Sequence, residues 1–89
     1  MLVIGGIYRH FKGGIYIIED VAFHHEDESL WVIYRNYDTE KLYVRPKDMF
    51  NSEVDKVKYP DAIQKERFKL IGVYYDPSED IEVCNEEFN

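Results

Sequence analysis

The chain has a single cysteine, Cys84, so it cannot form an internal disulfide, and a reducing, cytoplasmic compartment is expected. No apolar run approaches the roughly 20 residues that a membrane-spanning helix needs, so no membrane partner is expected. The opening MLVIGG is too short for a signal-peptide core and carries no positive flank. Excess positive charge is also missing: 18 acids face 11 Lys and Arg, a net charge of −7. Duplex nucleic acid demands a cationic surface, and it is therefore not an expected partner. There is no internal repeat and no low-complexity segment.

The acidity is local. Residues 75–89 hold six of the acids and no Lys or Arg, which leaves 12 acids against 11 bases in 1–74. The body is close to neutral, and a cationic pocket within it is compatible with the acidic total. With 89 residues the chain has room for one core. The division read from pattern is a domain over 1–75 and an acidic tail over 76–89. A domain of this size buries a modest share of its surface, so a homo-oligomer is compatible with it.

What the chain has in quantity is rings: eight Tyr, five Phe and one Trp. Tyrosine joins a large apolar body to a polar tip, which suits half-buried walls. Alternation over residues 5–11 predicts a first strand, and Lys12-Gly13-Gly14 offers the positive φ of a tight hairpin turn. IYIIEDVAF (15–23), LWVIYR (30–35) and KLYVR (41–45) predict three more strands from their β-branched and aromatic content. Pro46 ends the fourth, and PKDMF predicts one short helical turn with Met49 and Phe50 as core plugs. Pro60-Asp61 suggests another short turn, and RFKLIGVYY (67–75) a fifth strand. The expected fold is all-β, a small, strongly bent antiparallel SH3-like barrel with one short helical turn.

GIYRHFKGGIYII, AFHHE, VIYR, YVRPKDMF and RFKLI, in that order, resemble domain-of-unknown-function family 1653, small bacterial and phage proteins. The resemblance runs over roughly residues 5–71. It rests on Gly6, Tyr8, Arg9, His10, Lys12, Gly13, His24, Glu26, Arg45, Pro46, Phe50 and Phe68, among others. Tyr43 stands where the family pattern has Trp, Asp27 where it has Thr, and His25 where it has a small residue. The resemblance implies an all-β fold and carries no activity with it.

The candidate ligand-binding residues are Tyr8, Arg9, Lys12, His24, Glu26, Tyr43 and Arg45. Arg9, His10 and Lys12 fit either a solvated strand end or a rim that accepts an anion, since Arg forks onto phosphate or carboxylate oxygens. Arg45, between apolar neighbours at a strand end, needs a partner. Asp48, Glu26 or backbone carbonyls would make it structural; a ligand anion or a partner protein would make it functional. His24 and Glu26, two apart in an extended segment, share a face and could exchange a proton, though no nucleophile accompanies them. Adjacent His24 and His25 point oppositely, so no metal is expected, and no cofactor is called for.

Tyr8, Tyr16, Trp31, Tyr34 and Tyr43 fit a core, or a wall that stacks a base beside its phosphate. The leading expectation is a non-enzymatic binding module for an anionic, ring-containing, nucleotide-like small molecule, such as a phage sponge for a signalling nucleotide. The rivals are an SH3-like protein-interaction adaptor and a small hydrolase or lyase using His24 and Glu26.

Overall fold

A computed structural model describes residues 2–74. Its strands are β1 (Gly6–His10), β2 (Ile15–Phe23), β3 (Leu30–Asn36), β4 (Leu42–Pro46) and β5 (Phe68–Val73). One turn of helix, α1 (Lys47–Phe50), follows β4. The strands form one antiparallel sheet in the order β4-β3-β2-β1-β5. The first four make a meander, and β5 returns to pair with the free side of β1. Expected and observed strands agree within two residues at every end. The Pro60-Asp61 stretch is turn only, without helix, and the acidic 76–89 segment with Cys84 lies outside the described residues.

The all-β class holds, but no ladder joins β4 to β5, so the sheet is bent and open rather than a closed barrel. The bend can be measured on the rings. In a flat sheet β3 and β5, with β2 and β1 between them, stand about 14 Å apart. The ring centroids of Tyr34 on β3 and Phe68 on β5 are 5.4 Å apart. Two register shifts, one with Glu19 as the extra residue in β2 and one with Ile71 as the extra residue in β5 opposite Ile7/Tyr8, supply the local kinks that such curvature requires. The shift in β2 also changes which side chains face inward. Ile18 sits opposite Tyr34 and Val21 opposite Val32, so even-numbered residues face the core before the kink and odd-numbered ones after it.

The core comprises Tyr8, Ile18, Val32, Tyr34, Phe50 and Phe68. Phe50 is 1 % exposed and lies parallel on Phe68, with centroids 4.1 Å apart and planes at 5°. Met49, expected beside it as a second plug, is 46 % exposed. A single helical turn sets successive residues about 100° apart, so α1 can aim only one of the two inward. Pro46 closes β4 opposite Trp31; on an edge strand its missing N–H disturbs no further ladder.

Gly13 (φ 104°) and Gly14 (φ 91°) make the hairpin turn as expected. Gly6 is constrained differently: a Cβ there would stand 2.7 Å from the Val3 carbonyl oxygen and 2.9 Å from the Tyr8 ring. Gly6→Ala should therefore destabilise the domain by about 1–3 kcal/mol, the usual range for overpacking. Gly72→Ala should be well tolerated, because its Cβ would meet nothing closer than Ile7 Cδ1 at 3.9 Å. Thermal denaturation of the two variants checks this; equal melting temperatures would contradict it.

Candidate cation and aromatic site

The inner face of the curled sheet ends in a cluster of rings at its mouth, where β4 and β5 stay unjoined. Tyr16 from β2, Tyr34 from β3 and Tyr43 from β4 stand side by side, because cross-strand neighbours share a face. Tyr43 stacks on Tyr34 with centroids 5.7 Å apart and planes at 26°, and meets Tyr16 edge-on at 6.1 Å. Tyr43 is 39 % exposed, whereas Tyr34 behind it is buried. Phe68, at the start of β5, completes the wall against Tyr16 and Tyr34.

Arg45 lies two residues beyond Tyr43 on the same face of β4. Its Nε donates to the Tyr34 hydroxyl at 3.2 Å, and its guanidinium sits 5.8 Å from the Phe68 ring centroid. The carboxylates expected as structural partners, Asp48 and Glu26, do not reach it. Among the described residues Arg45 takes part in no ion pair. Arg67 adds a second half-buried guanidinium, its Nε donating to Ser52 Oγ at 2.9 Å.

His10 reports the resulting field. It sits opposite Phe68 on β1, with its ring 4.8 Å from those of both Phe68 and Phe11. Burial is the largest cause holding its pKa below the usual histidine value, followed by the charges of Arg45, Arg67 and Lys12. Its Nδ1 accepts the Lys12 backbone N–H at 3.1 Å, so the neutral ring carries its proton on Nε2. Three cations bear on one neutral imidazole.

The seven candidate residues fall into separate places. Tyr43 and Arg45 belong to the mouth. Tyr8 is in the core, 3 % exposed, with its hydroxyl accepting the Val3 N–H at 3.1 Å. Arg9 is exposed on the outer face opposite Lys69, and Lys12 lies at the hairpin turn with its Nζ 4.8 Å from the Tyr59 ring centroid. His24 and Glu26 occupy the exposed β2–β3 connector. There His24 stacks on Trp31 at 5.6 Å and its Nδ1 accepts the Glu26 backbone N–H at 3.3 Å, an arrangement that shapes the loop. Among the described residues no group of three His, Cys, Asp or Glu is placed to hold a metal ion, and no helix is long and apolar enough to cross a membrane. Arg67 and Phe68 were not singled out as ligand residues, and His10 was weighed only with Arg9 and Lys12 as part of a rim; His10 and Phe68 pair across β1 and β5, a contact that no local pattern reveals.

The model of the family described as "Protein of unknown function (DUF1653)" matches residues 6–70. The chain belongs to the DUF1653 family. The fold is similar to the crystal structure of a DUF1653 protein from Bordetella bronchiseptica, with a TM-score of 0.65 and 25 % identity, over 81 % of this chain and 91 % of that one. No curated protein matches. The DUF1653 match spans β1 to the middle of β5 and takes in every residue of the mouth.

The folded state holds the His10 proton more weakly than the unfolded chain does. His10 therefore contributes stability that is present above the usual histidine pKa and is lost as pH falls through its lower folded value. Imidazole NMR should show His10 titrating below about 6.5, and Arg45→Ala should move its midpoint upward. A midpoint in Arg45→Ala at or below that of the unaltered protein would show that Arg45 does not act on this ring.

Proposed function

We propose that the mouth is a binding site for an anionic, ring-containing small molecule, and that the protein acts by holding this molecule rather than transforming it. The observation that carries this reading is Arg45: a half-buried guanidinium with no carboxylate among the described residues, beside Arg67 and a neutral His10. Unpaired cations converging on one place favour an incoming anion, and Arg presents a planar fork suited to phosphate or carboxylate. Tyr43, the exposed ring of the stack, offers its surface to a base or other flat group, for about 1–3 kcal/mol per stacked ring. A nucleotide derivative unites the two features. A phage or bacterial protein of this kind would act as a sponge, lowering the free concentration of its ligand.

A second reading, an adaptor that pairs a peptide strand with the edge of β4, is supported by the exposure of Leu42 and Val44, 59 % and 60 %. The two readings part at Arg45, which the adaptor does not need.

In the unliganded protein Arg45→Ala should cost about 1 kcal/mol, the hydrogen bond to Tyr34. A nucleotide that binds at 100 times its Kd should stabilise the unaltered protein by about 2.7 kcal/mol. It should also raise the His10 pKa, because bound negative charge favours the imidazolium. Arg45→Ala should lose both effects, and Arg45→Lys should keep only part of them. Thermal melting and imidazole NMR against a panel of nucleoside phosphates measure this. Loss of about 3–5 kcal/mol in unliganded Arg45→Ala would instead mark the arginine as a structural partner.

A further inference from the structure

A second cationic surface lies beside the β1–β2 turn and meets the Tyr43–Arg45 mouth at His10. Arg9 and Lys69 are paired across β1 and β5, like charges in an arrangement that costs stability unless something neutralises them. Next to them, Lys12 and Lys58 bring their ammonium groups to 4.8 and 5.6 Å from the Tyr59 ring centroid. None of these four cations takes part in an ion pair among the described residues. Their arrangement is a strip, with one pair at each end and rings in the middle.

Those rings are Phe11 and Tyr59, in edge-to-face contact with centroids 5.0 Å apart. A cavity opens on each side of the pair. One, of about 430 Å³, takes in Arg9, His10, Phe11, Lys69 and the 99 % exposed Ile63. The other, of about 310 Å³, takes in Phe11, Lys12, Lys58 and Tyr59. Asp61 borders both cavities and, among the described residues, is the only carboxylate on either wall.

We propose that this strip binds single-stranded nucleic acid. Two successive nucleotides would occupy the two cavities, with phosphates over Arg9–Lys69 and Lys12–Lys58 and a base against Tyr59. The chemistry fits this class better than its rivals. A polyanion with evenly spaced charges matches cation pairs set apart by rings, and stacking tolerates any base. Duplex DNA would bring two strands of phosphate to a body whose net charge is close to zero and to a strip that offers only four of its 11 Lys and Arg. Asp61, placed between the cavities, can accept a hydrogen bond from a base amino group, as carboxylates do from cytosine.

The test is fluorescence anisotropy of the full chain with a ten-residue fluorescein-labelled oligothymidylate, from about 25 to about 200 mM KCl. Two neutralised phosphates, one over each cation pair, at about 0.7 each give an expected slope of log K on log salt near −1.4. The double variant Arg9→Gln, Lys69→Gln should bring the slope to about −0.7. Tyr59→Ala should weaken binding about tenfold with the slope kept, and Tyr59→Phe should bind as the unaltered protein does. Arg45→Ala should bind unchanged, which separates this surface from the small-molecule mouth. Absence of saturable binding at the lowest salt overturns the proposal. So does equal affinity for duplex DNA or polyglutamate of matched charge, or loss of binding in Arg45→Ala with Arg9→Gln, Lys69→Gln unaffected.

Discussion

The stacked pair of Phe50 and Phe68 is the contact on which the molecule depends. A five-stranded sheet with two free edges has one face to bury and no second layer to bury it against. Here the sheet curls on itself, and the single helical turn after β4 places Phe50 flat on Phe68 to hold the curl. Tyr8 and Tyr34 then meet Phe50 edge-on at 5.2 and 5.4 Å, so strands from both sides of the sheet converge on one ring. The proline at the end of β4 matters for the same reason: it stops the strand where the chain must turn inward.

The same closure creates the candidate site. By drawing the start of β5 under the end of β4, it brings Arg45 over Phe68 and sets Arg67 and His10 nearby. Rings fill the space that carboxylates would need, which leaves the guanidinium with a phenol and a π-face for partners. Such contacts are weak beside an ion pair. The guanidinium is thus held without a carboxylate among the described residues, the feature on which the proposed ligand site rests.

Much of this fold was legible in the sequence because its signals are local. The double glycine, the β-branched runs of β2 and β3 and the proline after KLYVR each act through a few neighbouring residues. Openness was not legible, since whether β4 meets β5 depends on how far the sheet curls. Met49 was misplaced because an aromatic and a thioether in one helical turn look alike as plugs until the turn's direction is known. Arg45 stood out because a cation between apolar neighbours is conspicuous. Its actual partners, Tyr34 and Phe68, lie 11 and 23 residues away and come together only through the sheet. Tyr8 illustrates the opposite case: its neighbours Arg9 and His10 suggested a site, while the register with Tyr16 sends its ring into the core.

The central claim is that the Arg45 mouth holds an anionic, ring-containing molecule. It is tested most directly by mass spectrometry of what the protein carries out of the cell. Protein purified at low salt, then denatured, should release one such small molecule in near-stoichiometric amount, and Arg45→Ala prepared alongside should release none. If the unaltered protein releases nothing, or if Arg45→Ala releases the same molecule in equal amount, the mouth is not its binding site.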